Sequence, residues 1–309
     1  MKPTDNIGII INTEYHHTTA LSIYKSLRHL NLSPRFHYNC SLDKFKFNEL
    51  CAHNNLPITT DTYFDINIII TAQESHGYIP GFNFNFNPVF NNKSDFIFIH
   101  NRPLKFGIDN IKKHFPDSIN IANGTYESPF SNDYFFQTES PVTLHSEKKN
   151  SIGVVSRFFE NKISIEYVNT FLQKNNCNMH LLGEGSSGTR AQIKHGNIQN
   201  TDVCSHYEFY KVLSKFNALL IPYSVQMEEY TGLKITETLT HSIVHKIPMI
   251  ANKKFLKYYN LKQIDSNFSN ILDILTDESK YNLLKDELQL FQNNSRVHNN
   301  KLFKRILKA

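Results

Sequence analysis

Short runs of apolar residues alternate with segments of helical spacing along the first half of the chain. Ile7–Asn12, Ile66–Thr71 and Asp95–His100 are each almost continuously apolar, as is typical of strands buried on both faces of a parallel sheet. Thr18–Leu30 has the apolar spacing of a helix, and Ser33–His37 predicts a further strand. This alternation predicts a doubly wound α/β layer.

A second alternation follows a polar, linker-like stretch at Ser140–Asn150. Its predicted elements are strands at Ser151–Ser156, Met179–Leu182, Ala218–Pro222 and Pro248–Ala251, with helices from Lys162, at Tyr207–Phe216 and at Leu233–Ser242. We therefore expect two Rossmann-like domains, over residues 1–145 and 150–285. Residues 286–309 are expected to form a helical tail that packs back on the N-terminal domain.

Composition limits the class of protein. The 309 residues are 40% hydrophobic and 20% charged, which excludes global disorder, and no apolar run reaches the ~18 residues of a membrane-spanning helix. The polar N-terminus predicts no signal peptide. The four cysteines lie far apart without a CxxC pair, which argues against a disulfide framework or a zinc site and suits a reducing cytoplasm. The net charge of +5 permits an anionic partner without requiring nucleic acid.

Candidate binding residues follow the predicted strands, where open α/β sheets bind their ligands. His100 ends the strand at Asp95–His100, Arg157 and Lys162 follow the first strand of the second half, and Gly183 follows the next strand. Two cations at one strand end are suited to neutralise a diphosphate. The plainer interpretations are ordinary surface charge for the two cations and a hydrogen-bonded strand terminus for the histidine.

Glu229 and Glu237 flank Gly232 and Leu233 near the predicted start of a helix. A glycine there lets backbone N–H groups approach a phosphate, which the helix dipole also favours. Glu237 on the following turn is suited to accept hydrogen bonds from ribose hydroxyls, as acidic residues do in other nucleotide sites. The plainer interpretation makes Glu229 part of an acidic loop and Glu237 a solvated helix residue.

The order of these motifs resembles the donor half of family-4-type retaining glycosyltransferases of the GT-B fold, as found in bacterial surface-polysaccharide and lipopolysaccharide synthesis. That family carries an Arg and a Lys after the first strand of its C-terminal domain, then a glycine pair, a Pro-Ser segment, an E-x7-E motif and a Pro-hydrophobic strand. The similar segments here are Arg157-x4-Lys162, Gly183-Glu-Gly185, Pro222-Tyr-Ser224, Glu229-x7-Glu237 and Pro248–Ala251.

The first half is similar to the family in one motif and departs from it in another. His100-Asn-Arg-Pro103 resembles an HNRP motif from which a histidine can reach hydroxyls of the donor sugar. The family often has a glycine-rich loop after its first strand, whereas the loop here carries His16 and His17 and no glycine. The glycine of the family's E-A-M-A-x-G-x-P pattern is also missing before Pro248, and one extra helical turn after Glu237 would absorb the longer spacing.

The resemblance implies two Rossmann-like domains facing across a cleft and an EC 2.4-type transfer of a sugar from a nucleotide-diphosphate donor to a glycan, lipid-linked or other acceptor, with retention. It implies a catalytic set of Arg157, Lys162, Glu229 and His100, and a nucleotide-binding set of Gly183, Gly232, Leu233 and Glu237. No metal or other cofactor is expected, because protein cations and a helix N-terminus supply the positive charge.

Two other functions stay open at this point. A catalytically inactive GT-B-like module could bind a nucleotide or an active partner, and a GT-B transferase could use another activated donor. Other classes lack their motifs: the sequence has no Asp-x-Asp, no GxxxxGK[ST], no GxSxG and no GxGxxG after its first strand. Apart from the C-terminal tail, no segment interleaves aromatic and basic residues as nucleic-acid binders do.

The C-terminal segment allows two interpretations. Lys301, Lys304, Arg305 and Lys308 make a basic face beside apolar residues at helical spacing. Such a helix can lie on anionic lipid, so that a cytoplasmic protein would touch the inner membrane surface peripherally. The plainer interpretation is a terminal helix that packs its apolar face against the rest of the chain.

Overall fold

The computed structural model describes residues 6–11, 16–38, 43, 45–61, 63–70, 95–100, 105–124, 133–140, 144, 151–156, 158, 164–202, 205–222 and 236–307. These residues divide into two compact units. Unit 1 takes its residues from Met1–Pro141 and Asn294–Ala309, and unit 2 takes its residues from Val142–Thr231 and Thr236–Asn293.

Unit 1 is a six-stranded parallel sheet with helices, as the apolar runs predict. Its elements are β1 (Ile7–Ile11), α1 (His17–His29), β2 (Arg35–Tyr38), α2 (Phe47–His53), β3 (Ile66–Ile70), β4 (Asp95–His100), α3 (Lys105–His114), β5 (Ile119–Asn123) and β6 (Tyr134–Phe135). The strand order is β2-β1-β3-β4-β5-β6, and every pair is parallel. β1 and β3 are buried at all five positions, which is why they contain almost no polar residues.

Unit 2 is a second six-stranded parallel sheet. Its elements are β7 (Ser151–Val155), α4 (Ile165–Lys174), β8 (Asn178–Leu182), α5 (Ser186–Arg190), β9 (Asn197–Thr201), α6 (His206–Leu213), β10 (Ala218–Leu220), α7 (Glu237–His245), β11 (Met249–Ala251), α8 (Lys253–Tyr258), β12 (Ile264–Asp265), α9 (Ile271–Thr276) and α10 (Glu278–Ile306). The order β12-β11-β10-β7-β8-β9 is that of a Rossmann sheet, with β7 as its first strand and β10 as its fourth.

Apolar side chains cover both faces of the second sheet. Val154 and Leu181 belong to a cluster that includes Phe171 of α4 and Ile271 of α9. Val155 and Leu182 belong to another cluster, which includes Tyr210 of α6. Because successive residues of a strand point to opposite faces, each strand supplies both clusters. Among the described residues, no helix is both long and apolar enough to cross a membrane.

Helix α7 begins four residues later than predicted, at Glu237 rather than Leu233. Thr236 has an extended backbone (φ −89°, ψ 139°), so one helix cannot run through it from Leu233 to Glu237. Its hydroxyl accepts a hydrogen bond from the N–H of Thr238 at 3.2 Å, as expected of an N-cap threonine. The first-turn N–H groups of this helix therefore belong to residues 237–239. Gly232 and Leu233 lie outside the described residues.

Contacts with residues 135–139 hold the last turns of α10 in unit 1. Asn299, which is fully buried, donates to the carbonyl of Phe136 at 2.8 Å and accepts from its N–H at 3.3 Å. Arg296 pairs with Glu139 through two hydrogen bonds of 2.6 and 3.1 Å. Phe303 packs against Phe135, with ring centroids 5.8 Å apart.

The apolar side of this C-terminal segment is inside unit 1. Leu302, Phe303 and Leu307 have at most 4% of their surface exposed, whereas Lys301 and Lys304 are exposed. The face that an interfacial helix would insert into lipid is therefore already packed. Peripheral membrane contact stays a prediction that rests on the basic residues alone.

We expect Asn299→Ala to lower the free energy of unfolding by roughly 2–4 kcal/mol, because it leaves two buried backbone groups of Phe136 without their partner. Asn294→Ala is the matched control, since Asn294 is exposed on the same helix and the change in helix propensity is the same. Urea denaturation of both variants measures the difference. Equal stability of the two variants would contradict a role for this contact.

Candidate functional site

The carboxyl edge of the sheet in unit 2 is the candidate site. In this strand order the chain reverses direction across the sheet between β7 and β10, and ligands of such sheets bind beyond the carboxyl ends at that point. Arg157 follows the described residue Ser156 directly in the sequence, and Glu237 begins α7. The end of β7, which precedes Arg157, and the start of α7, which carries Glu237, therefore both lie at this edge.

A buried hydrogen bond fixes the start of α7 at this edge. The hydroxyl of Thr238 donates to the carbonyl of Val155, the last residue of β7, at 2.7 Å. The N–H of Ser164, the N-cap of α4, donates to the carbonyl of Pro222 beyond β10 at 3.1 Å. The first turns of α4 and α7 are therefore tied to the ends of the two strands that border the reversal.

The segments that follow β7 and β8 are bonded to one another and to the end of β9. The N–H of Phe158 donates to the carbonyl of Glu184 at 2.9 Å, and the N–H of Gly183 donates to that of Thr201 at 3.0 Å. Gly183 has φ +140°, and a Cβ at this position would lie 2.0 Å from the carbonyl oxygen of Ser156. This close approach of two loops accounts for the glycine by itself, and a ligand contact of Gly183 stays a prediction.

Two helix starts at this edge differ in what occupies them. At α5, Asp202 accepts hydrogen bonds from the N–H and the hydroxyl of Ser186, both at 2.9 Å, and from the hydroxyl of Ser187. These bonds, that of Ser187 above all, lower the pKa of the Asp202 carboxyl, so the positive end of α5 already faces a carboxylate. At α7 the N-cap is the neutral Thr236, so the protein supplies no anion there through its N-cap.

Glu237 is exposed at the first position of α7. A carboxylate in the first turn favours the helix through the macrodipole, which is the plainer interpretation of this residue. Its exposure at the carboxyl edge is also what a ribose-binding carboxylate requires. Its role in binding a nucleotide stays a prediction, as do those of Arg157, Lys162, Glu229, Gly232 and Leu233, which lie outside the described residues.

His100, at the end of β4 in unit 1, is fully buried. Its Nε2 lies 2.8 Å from Oδ1 of Asn120, whose amide nitrogen donates to Ser118, so Nε2 carries the proton. Burial lowers the pKa of His100 to about 4, which makes the ring neutral at physiological pH. This is the hydrogen-bonded strand terminus of the plainer interpretation, and contact with a donor sugar stays a prediction.

His16 and His17 occupy different environments. His16 is the N-cap of α1 and has a left-handed backbone (φ 67°). His17 is buried, stacks on Phe47 with ring centroids 4.3 Å apart, and meets Tyr38 edge-on. Among the described residues, no group of three or more His, Cys, Asp or Glu side chains could hold a metal ion.

A cluster of histidine and aromatic rings that the sequence analysis missed packs α7 against α6. His241 and His245 lie one turn apart with ring centroids 5.9 Å apart, and they contact Phe209 at 4.8 Å and Tyr210 at 5.5 Å respectively. Burial lowers the pKa of His241 well below its ordinary value and that of His245 to about 3. The i, i+4 spacing of the two histidines was the available signal.

No protein-family model matches the chain, and no curated protein matches its sequence. Solved structures do match it in fold. AviGT4, a glycosyltransferase involved in avilamycin A biosynthesis, is 11% identical, with a TM-score of 0.56 over 97% of this chain and 96% of that one. An alpha-glucosyltransferase (AGT) in complex with UDP is 10% identical, with a TM-score of 0.52 over 97% and 96% of the two chains.

The packing of α7 predicts a loss of stability in acid. The folded pKa of His245, about 3, lies below the ~6.5 of an unfolded histidine, so the unfolded state binds the extra proton between these values. Unfolding should become easier as the pH falls from 6.5, by about 2 kcal/mol at pH 5 from this residue. In His245→Gln the difference in unfolding free energy between pH 7 and pH 5 should shrink by that amount.

His29→Gln is the control, because His29 is exposed near the end of α1. Its pH profile should match that of the wild type. Urea titrations from pH 4.5 to 7.5 give both profiles. A His245→Gln profile as steep as that of the wild type would contradict the assignment of a buried neutral imidazole.

These similarities and the two parallel sheets give the chain the GT-B fold, an α/β architecture of two Rossmann-like units.

Proposed function

We propose that this protein is a glycosyltransferase that moves a sugar from a nucleotide-diphosphate donor to an acceptor. The observation that carries the proposal is the Rossmann sheet of unit 2, in which Thr238 and Val155 hold the first turn of α7 at the reversal between β7 and β10. A helix start at that point is suited to an anionic nucleotide. The GT-B fold, which the chain shares with two solved glycosyltransferases, supports the same conclusion.

The proposed roles of the donor-site residues come from their motif positions and their chemistry. Arg157 and Lys162 bind the diphosphate and stabilise the negative charge that develops on the departing nucleotide. Glu237 accepts hydrogen bonds from the ribose hydroxyls. The backbone N–H groups at the start of α7 add to the positive potential around the phosphates, and Gly232 and Leu233 precede that helix in the chain.

On the sugar side, Glu229 binds hydroxyls and positions an oxocarbenium-like transition state. We propose retention at the anomeric carbon and membership of the family-4 type, because the E-x7-E motif and its neighbours occur in the order of that family. Cations of the protein supply the positive charge, so we propose transfer without a metal ion. The proposed acceptor is a glycan, a lipid-linked molecule or another acceptor, and the proposed compartment is the cytoplasm.

A thermal-shift panel of UDP, GDP, ADP, CMP and their sugar conjugates tests the donor site. A nucleotide at a hundredfold excess over its Kd should stabilise the wild type by about 2.7 kcal/mol. Arg157→Ala should abolish that shift, because the diphosphate loses a charge-assisted contact. Lys174→Ala, a change of an exposed cation at the end of α4, should leave it intact.

Glu237→Gln refines the test within the same panel. We expect the affinity for the stabilising nucleotide to fall roughly tenfold, about 1.4 kcal/mol, because hydrogen bonds to a charged acceptor are lost. Glu278→Gln is the matched control, since Glu278 is an exposed carboxylate in the first turn of another helix, α10. If no nucleotide stabilises the wild type at millimolar concentration, the donor site is refuted and the inactive-module alternative takes its place.

A further inference from the structure

Helix α10 presents a stripe of exposed apolar side chains. Leu283, Leu290 and Val297 have 66%, 61% and 53% of their surface exposed. They are three of the six large hydrophobic residues exposed in the described part of the chain, and they recur every seven residues on one helix. Residues at this spacing lie on one face, so the stripe is a continuous feature and not scattered exposure.

The opposite face of α10 is buried along the same length. Tyr281 and Leu288 face inward in the first half, and Asn299 and Phe303 do so in the second. Gln292, between them, is also buried and donates to the carbonyl of Val244 at 3.4 Å. The helix is therefore held by one face, and the exposure of the stripe is not a consequence of a loosely packed helix.

The polar residues beside the stripe are arranged asymmetrically. Asp286 is exposed in its first half, Lys301 and Lys304 are exposed in its second, and Asn293 and Asn294 are exposed between them. A parallel copy of the helix would bring lysine against lysine. An antiparallel copy brings unlike groups together.

In one antiparallel register, these residues of the face each lie opposite a residue of complementary chemistry. This register places Leu290 opposite Val297 of a second copy, Asp286 opposite Lys301, and Leu283 opposite the aliphatic stem of Lys304. The same register sets Asn293 opposite Asn294 at the two-fold axis. Because each of these pairs occurs twice, the face is complementary to itself, as a two-fold interface between identical chains requires.

A groove beside α10 extends this surface within unit 1. Val297, Lys301 and Lys304 line it with Leu30 and His29 from the end of α1, and its volume is about 410 Å³. Its lining combines the apolar side chains of Leu30 and Val297 with the basic side chains of Lys301 and Lys304. In the antiparallel register it faces the half of a second helix that carries Leu283, Asp286 and Leu290, which supplies apolar and acidic side chains.

We propose that two copies of this chain associate through antiparallel α10 helices. Leu290 and Val297 form the apolar centre of the interface, the paired charges exclude the parallel arrangement, and the asparagines at the axis fix the register. The contact extends over roughly 32 Å of helix and involves few apolar side chains, so we expect a dimer with a Kd in the micromolar range.

Sedimentation equilibrium of the full chain between roughly 1 and 200 µM tests this proposal. The wild type should shift from monomer to dimer over that range. Asp286→Lys and Lys301→Asp should each weaken the dimer at least tenfold, because each places like charges opposite one another. The double variant, Asp286→Lys with Lys301→Asp, should restore the dimer, since it exchanges the charges without changing their pairing.

Lys254→Asp is the charge-matched control, because Lys254 is exposed on a different helix, α8. This variant should dimerise as the wild type does. Circular dichroism melts establish that every variant is folded. A wild type that stays monomeric at 200 µM overturns the proposal, as does a double variant that remains monomeric. Binding to anionic vesicles by a monomer, lost in Lys301→Asp, would assign the surface to a membrane instead.

Discussion

Every strand pair in the described parts of the two sheets is parallel, and the rest of the architecture depends on that constraint. Parallel neighbours need crossover connections, and the helices in these crossovers cover the sheet faces, so the strands are buried on both sides. All strands then deliver the chain to the same edge. In unit 2 that edge holds the ends of β7 to β10 and the first turn of α7, and so the topology gathers residues that are far apart in sequence.

The same constraint explains how much of the fold could be predicted. β1, β3, β7 and β10 are central strands, and burial on both faces leaves an apolar run that is visible in the sequence. β9 and β6 are edge strands, and β9 (Asn197–Thr201) carries mostly polar residues because one side of it is open to solvent. No apolar pattern marks it. The start of α7 was misplaced for a different reason: Gly232 signals a helix start as well as Thr236 does, and only the backbone angles of Thr236 decide between them.

The sequence predicts a chemistry for the candidate site but not the contacts that support it. Motif order points to Arg157 at a strand end, Lys162 at a helix start and Glu237 in the first turns of a helix. Nothing in the sequence marks the Thr238–Val155 bond that positions α7. Lys246 shows a related limit. It stands two residues before Pro248, where the family pattern has glycine, and it adopts the left-handed conformation (φ 54°) that ends α7. The left-handed backbone conformation that favours glycine is therefore present at this position, although the sequence alone shows only that the glycine is missing.

The positive end of a helix attracts an anion, so a helix start at the ligand-binding edge of a sheet is suited to bind a phosphate. Unit 2 treats its helix starts differently: Asp202 neutralises α5 through three hydrogen bonds, and Thr236 caps α7 without charge. Glu237 is exposed at that start, and a carboxylate that points to solvent can turn to ribose hydroxyls when a nucleotide arrives. Beneath this start, α7 rests on His241 and His245, which must stay neutral to remain packed. Proton uptake there would loosen the helix whose start we propose to bind the phosphates, so acid should weaken nucleotide binding and folding through the same contacts.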